Sequence, residues 1–140
     1  MTSLVREAMV AEPATLASSA TAVEAGDRLA QPDVRAVLVT DGGGRLVGVV
    51  TRTTLVREVV AAGRDPRETA LGDIAEPPRF TVDADLPVDE AFHLLEEEDL
   101  ERVPVVEDGR LVGVLSRSVL QRRLAEDEPP ELPPPRSPTA

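Results

Sequence analysis

Two segments of this 140-residue chain are nearly identical: GRLVGVVTRTTL at residues 44–55 and GRLVGVLSRSVL at residues 109–120. They lie 65 positions apart and agree at eight of twelve positions, and the one non-conservative difference places Thr54 against Val119. Each segment starts at a glycine, continues through apolar β-branched residues and reaches a Thr or Ser that can cap a helix. A duplicated strand–helix junction of this kind predicts that the chain contains two copies of one structural unit.

The repeat extends well beyond these two segments. At the same offset Pro13 aligns with Pro78 and Val23 with Val88. Keeping this register requires one extra residue near Glu98 in the second copy and one extra glycine in the turn of the first copy. We therefore expect two units followed by a tail, with the boundaries 1–64, 65–125 and 126–140.

Each copy is predicted to fold as strand–helix–strand–strand–helix. Val88, Ala91, Phe92 and Leu95 fall at the i, i+3, i+4 and i+7 positions of one apolar helical stripe. In the first copy, Thr21 and Glu24 have the spacing of a capping box. The predicted strands are Thr15–Ala17, Ala36–Thr40 and Leu46–Val50 in the first copy and Phe80–Val82, Val103–Val106 and Leu111–Leu115 in the second.

Short connecting helices complete the predicted fold. We expect a lead-in helix over Ser3–Val10 and a short helix within Asp65–Ala75. A three-stranded sheet with helices on one face leaves its other face uncovered, and two copies can cover each other. The sequence thus predicts an α+β fold of two βαββα units that pack sheet to sheet with pseudo-twofold symmetry.

The composition excludes several classes of function. The net charge of −11 and an aromatic content of 1% disfavour nucleic-acid binding. The chain contains no cysteine, so disulfides, thiol catalysis and thiolate metal sites are excluded, and its single histidine, His93, lies beside the apolar stripe of its helix. We expect no enzymatic activity, no metal site and no required cofactor. No apolar stretch reaches the roughly 18 residues of a membrane span, and we expect a cytoplasmic protein.

Residues 126–140 are rich in proline and acidic residues. This composition predicts an extended or disordered tail. A solubilising role and a role as a proline-rich ligand both fit the tail. The absence of Lys and Asn beside abundant Arg, Ala, Gly and Pro indicates a GC-rich bacterial genome.

The strand–helix junctions offer groups that can bind an anion. A helix start presents unpaired backbone N–H groups and the positive end of the helix dipole. The hydroxyl groups of Thr51 and Ser116 and the guanidinium groups of Arg52 and Arg117 lie at these junctions. The alternative is that the hydroxyl groups cap the helices and the arginines are surface residues.

The repeat over residues 1–125 resembles a tandem pair of CBS domains, the modules first noticed in cystathionine β-synthase. The residues that carry the resemblance are Val5–Met9, Asp73-Ile74, Val103–Val106, Gly48–Arg52 and Gly113–Arg117. The resemblance implies two βαββα units, a disc-shaped homodimer and clefts between the units. The resemblance also implies that these clefts bind adenosine-containing ligands such as AMP, ADP, ATP or S-adenosylmethionine.

The resemblance also implies the residues of each cleft. In the family motif Gly-h-h-Thr/Ser-x-x-Asp, where h is apolar, the hydroxyl group approaches phosphate and the Asp binds the ribose; the hydroxyl positions here are Thr51 and Ser116. The Asp positions are occupied by Thr54 and Val119, and losing a hydrogen bond to a charged group weakens binding about tenfold or more. Adenine contacts are expected from Leu16, Ala17, Ala36, Val37 and Leu38 in one cleft and from Phe80, Thr81, Val82, Arg102, Val103 and Pro104 in the other.

Two functions follow from the resemblance. The first is a stand-alone regulatory module that binds an adenosine-containing ligand and signals to an effector protein. The alternative is a CBS-type dimer that has lost its ligand and serves as an interaction or scaffold protein. A homodimer is expected in both cases.

Overall fold

Two three-stranded sheets, one from each copy, form the framework of the protein. The computed structural model describes residues 3–10 and 14–127, with side chains described as far as Ala125. The helices are α1 Val5–Ala8, α2 Ala22–Leu29, α3 Arg52–Leu55, α4 Leu71–Ile74, α5 Val88–Glu97 and α6 Arg117–Asp127. The strands are β1 Thr15–Ala17, β2 Ala36–Thr40, β3 Leu46–Thr51, β4 Val82–Asp83, β5 Arg102–Glu107 and β6 Arg110–Ser116.

The two sheets have the same topology. In the first unit β1 pairs parallel with β2, and β2 pairs antiparallel with β3. In the second unit β4, β5 and β6 repeat this arrangement. The β5–β6 hairpin closes at Asp108 and Gly109, whose φ angles of 53° and 80° are those of a tight two-residue turn that matches the strand twist. The predicted pair of βαββα units is confirmed.

The register of the repeat differs from the predicted one. The buried face of α2 consists of Ala22, Ala25 and Leu29, and the buried face of α5 consists of Val88, Ala91 and Leu95. These residues correspond at an offset of 66, so the extra residue near Glu98 was wrong; the extra glycine in the first turn alone restores the offset of 65. The error arose because Val23, which is 46% exposed, is identical to Val88 but lies one position beyond the buried face.

Several element boundaries also differ from the prediction. Strand β4 starts only at Val82, and the lead-in helix is the single turn of α1. Helix α3 continues as a π-helix over Val56–Val60, and the chain then turns at Gly63, which has a φ of +72°. Helix α6 extends two residues past the predicted boundary at 125, and the remaining residues of the predicted tail, 128–140, lie outside the described residues.

A short helix preceding each unit packs into the hydrophobic core of the other unit. Val5 and Ala8 of α1 precede the first unit but belong to the core of the second, whereas Leu71 and Ile74 of α4 belong to the core of the first. Arg6 reinforces this exchange by pairing with two carboxylates of the second unit, which raise the pKa of its guanidinium group. The units are therefore parts of one folded body.

The chain segments that follow α1 and α4 cross the repeated glycines. Val49 and Glu76 exchange backbone hydrogen bonds of 2.7 and 2.9 Å beside Gly48. In the second unit, Val10 and Val114 do the same beside Gly113, at 2.9 and 3.1 Å. A Cβ atom on Gly48 would lie 2.6 Å from the carbonyl oxygen of Glu76. The duplicated segment thus needs glycine where another backbone lies against its strand.

Candidate functional site

A groove of about 650 Å³ lies between the two units. It is next to the first residues of β2 and β5 and the last residue of β6. This volume is within the range of about 300–1,000 Å³ that is typical of small-molecule sites. Both units contribute to its walls. The lining residues are Val10, Ala14, Asp33, Val34, Arg35, Ala36, Leu38 and Val49, together with Glu76, Pro77, Pro78, Arg79, Phe80, Leu100, Arg102, Val103, Pro104, Val114, Ser116, Ser118 and Val119.

Apolar side chains from facing strands form much of the groove surface. Ala36 and Leu38 come from β2 and Pro104 from β5, whereas the neighbouring Val103 is 1% exposed and its side chain lies in the core of the second unit. Phe80, one of two aromatic residues in the chain, precedes β4 and is half-buried. Such a surface can hold a flat apolar ring.

The start of α6 provides polar groups at the same groove. β6 ends at Ser116, and the eleven-residue helix α6 begins at the next residue. The hydroxyl groups of Ser116 and Ser118 lie 2.9 Å apart, and both residues line the groove with Val119. The Arg117 amide donates to the carbonyl oxygen of Glu101 at 2.7 Å and the Val119 amide donates to Ser116 Oγ at 3.4 Å, so the helix dipole and the serine hydroxyl groups are what favour an anion at this position.

At the corresponding junction of the first unit, the polar side chains hydrogen-bond to each other and do not reach the groove, so we call this junction closed. Thr51 and Thr54 form a capping box in which the Thr51 amide donates to Thr54 Oγ1 at 3.0 Å and the Thr54 amide donates to Thr51 Oγ1 at 3.2 Å. Thr54 is 0% exposed. Its hydroxyl group is thus used inside the protein, and neither threonine lines the groove.

The two junction arginines are also engaged elsewhere. The Arg52 guanidinium group donates to the carbonyl oxygens of Gln31 and Val34, each at 2.9 Å. Arg117 pairs with Asp99 at 3.2 Å and with Glu101 at 3.6 Å. These arginines fix neighbouring loops and do not line the groove.

The groove brings together seven of the sixteen residues predicted from the sequence: Ala36, Leu38, Phe80, Arg102, Val103, Pro104 and Ser116. Two others, Val37 and Val82, are buried in the two cores. The remaining seven also lie outside the groove lining, namely Leu16, Ala17, Thr51, Arg52, Thr54, Thr81 and Arg117.

Sequence reasoning missed two cations of the groove, Arg35 and Arg79. Each lies immediately before a residue of the predicted adenine wall, Ala36 or Phe80. That adjacency was the available signal. The family motif covers only the strand–helix junctions and so does not mark these two positions.

The described part of the chain has neither a metal-ligand cluster nor a membrane-spanning helix. Among residues 3–10 and 14–125, no three His, Asp or Glu side chains come close enough to hold a metal ion. In the same part of the chain, no helix has the length and apolarity needed to span a bilayer.

A family model of the CBS domain matches this chain twice, at residues 5–61 and 71–126. The chain belongs to the CBS-domain family. The two matches correspond to the two βαββα units, and CBS domains are regulatory modules that are generally non-enzymatic.

Known CBS proteins resemble this CBS pair over most of its length. It is 30% identical over 121 residues to hypoxic response protein 1 of Mycobacterium tuberculosis, spanning 86% of this chain and 85% of the relative. A crystal structure of Hypoxic Response Protein I, with two coordinated zinc ions, superimposes with a TM-score of 0.72 at 28% identity and covers 86% of this chain and 98% of its own. The structure of CBSX2 in complex with AMP has a TM-score of 0.70 at 25% identity, over 88% and 96% of the two chains.

The structure of Hypoxic Response Protein I contains two zinc ions, and the described residues of this CBS pair contain no cluster of three side chains that could hold a metal ion. The chain contains no cysteine and a single histidine, two of the residue types that supply zinc ligands.

Proposed function

We propose that this CBS pair is a regulatory module that binds an adenosine-containing ligand, such as AMP, ADP, ATP or S-adenosylmethionine, in the groove between its units. The observation that carries the proposal is the groove itself, in which both units supply apolar walls beside the start of α6. Ala36 and Pro104 offer a surface for adenine, and Ser116 offers a hydroxyl group for phosphate. The AMP complex of CBSX2 supports the choice of ligand class.

Ligand binding would act on the relative orientation of the two units. A ligand that touches both walls stabilises the arrangement in which the walls are correctly spaced. The ligand increases the population of this arrangement only to the extent that it binds this arrangement more tightly than other arrangements of the two units. We propose that an effector protein responds to that shift.

Thermal unfolding in the presence of candidate ligands tests this proposal. A ligand at 100 times its dissociation constant stabilises the folded state by about 2.7 kcal/mol, which raises the melting temperature measurably. The panel is AMP, ADP, ATP, S-adenosylmethionine and NAD. Because the chain contains no Trp or Tyr, circular dichroism is the suitable signal.

The repeat supplies a matched pair of variants for this test. Ser118 and Thr53 occupy the same position in the first turn of their helices and are both exposed, but only Ser118 lines the groove. We expect Ser118→Trp to abolish the ligand-induced shift and Thr53→Trp to retain it. If no ligand of the panel shifts the wild-type protein, the sensor function is rejected in favour of a ligand-free interaction protein.

We also propose that the CBS pair forms a homodimer. Three valines on the helices of the first unit are exposed: Val23 by 46%, Val56 by 58% and Val60 by 73%. Val23 and Val60 line one apolar depression, and exposed apolar surface of this kind supports a protein–protein contact. Light scattering should give twice the chain mass of 14.9 kDa, and Val56→Ser combined with Val60→Ser should give the monomer. A monomeric wild-type protein would contradict the assignment.

A further inference from the structure

Resting on the proposed function, we infer that three arginines make this groove selective for adenosine ligands with a chain of phosphates and against cationic S-adenosylmethionine. The arginines are Arg35, Arg79 and Arg102, and all three line the groove. None of them lies at the strand–helix junctions that the family motif marks.

The three cations come from separate parts of the fold. Arg35 belongs to the first unit and precedes β2, whereas Arg102 is the first residue of β5 and lies opposite Ser116 across the β5–β6 pair. The Arg79 guanidinium carbon lies 5.5 Å from the centre of the Phe80 ring, a distance at which the cation and the ring attract each other. A phosphate chain in the groove would therefore meet cations from both units.

These arginines lack acidic partners in the part of the chain that the structure describes. No ion pair joins Arg35, Arg79 or Arg102 to a described carboxylate. The groove lining contains two acidic residues, Asp33 and Glu76. Glu76 pairs with Arg57, so Asp33 is the one acidic lining residue without an ion pair in the described part of the chain.

The rest of the protein has the opposite charge. With a net charge of −11, the chain repels anions at long range, so three unpaired cations at one groove form a local exception. Their repulsion from one another falls when a polyanion binds between them. A phosphate monoester carries up to about two negative charges at neutral pH, and each added phosphate adds to this charge. Affinity should therefore rise from AMP to ADP to ATP, whereas the positive sulfonium group of S-adenosylmethionine should be disfavoured.

Calorimetric titration of the full chain without added divalent cations tests this order. We expect Arg35→Gln and Arg102→Gln each to weaken ATP binding about tenfold, which corresponds to about 1.4 kcal/mol, and to weaken AMP binding less. The matched control is Arg28→Gln, which makes the same charge change at an exposed position of α2 outside the groove. Inorganic tripolyphosphate is included as a probe for the arginines alone.

The outcomes separate this inference from the proposed function. If ATP, AMP and S-adenosylmethionine bind alike and the Arg35 and Arg102 variants behave like Arg28→Gln, arginine selection is overturned while the adenosine site stands. If tripolyphosphate binds as tightly as ATP and both variants weaken it, the arginines act as inferred and the adenosine site is rejected. The expected result is that ATP binds more tightly than both tripolyphosphate and AMP, and that both variants reduce the preference for ATP over AMP.

Discussion

Substituting Gly48 by alanine tests the crossing of the two backbones at the repeated segment. A Cβ atom at this position would lie 2.6 Å from the carbonyl oxygen of Glu76 and 2.9 Å from Cβ of Ala75. Both distances are shorter than normal van der Waals contact, and the oxygen belongs to backbone that cannot rotate away. The substitution must therefore push the segment after α4 off the edge of β3.

The expected cost follows from these contacts. Overpacking of a close-packed site costs about 1–3 kcal/mol. Replacing glycine also reduces the entropy of the unfolded chain, which returns about 0.4–1 kcal/mol. The net loss is about 1–2 kcal/mol, or about 4–8 °C in melting temperature for a domain of this size. Urea unfolding of Gly48→Ala measures the loss directly.

Two other glycines calibrate the result. Gly42 has no atom within 4 Å of its Cβ position, so Gly42→Ala should change the free energy of unfolding little. At Gly113 the nearest atom, at 2.7 Å, is the flexible Met9 sulfur, although Val10 O lies at 2.9 Å. Gly113→Ala should therefore cost less than Gly48→Ala. Equal stabilities of Gly48→Ala and Gly42→Ala would refute the crossing.

Three further substitutions test the two strand–helix junctions. Thr54→Val removes the side-chain hydrogen bonds of a buried capping box and should lower the free energy of unfolding by about 1–3 kcal/mol in urea titrations, whereas the exposed Thr53→Val should change it little. Val119→Asp places a carboxylate in the groove, where it can bind the ribose hydroxyl groups. Calorimetry should show an affinity for AMP that is about tenfold higher and an unchanged affinity for 2′,3′-dideoxy-AMP, which lacks those hydroxyl groups. An equal gain in affinity for both nucleotides would contradict contact with the ribose. Arg52→Gln should speed hydrogen exchange at the Val34 amide, and unchanged exchange with weaker ligand binding would instead place Arg52 on the ligand.

The fold was largely predictable because the repeat supplies its own alignment. The apolar runs of β2 and β3 and the capping box at Thr21 are local signals, and each appears where it was predicted. The repeat register was less accessible, since Val23 and Val88 are identical residues in non-equivalent positions. Burial of Ala22 and Val88 on the two helices decides the register, and burial depends on tertiary packing.

The site was only partly predictable from the sequence. Residues on strands that face the groove, such as Ala36 and Pro104, follow from the resemblance to the CBS family. Thr51 and Ser116 have the same local sequence context, yet only Ser116 lines the groove. The difference arises at Thr54, which completes a capping box with Thr51, whereas Val119 has no side-chain hydroxyl group and lines the groove itself. Such asymmetry depends on three-dimensional contacts that a motif does not encode.

An NMR titration with ATP tests most directly whether one ligand contacts both units. If the groove is the site, the amide resonances of Ala36 and Leu38 in the first unit and of Val103 and Ser116 in the second should shift together with a single dissociation constant. The amides of Thr51 and Thr54 should shift little, because that junction is closed. Shifts confined to one unit, or centred on Thr51 and Thr54 with none at Ser116, would contradict a shared groove.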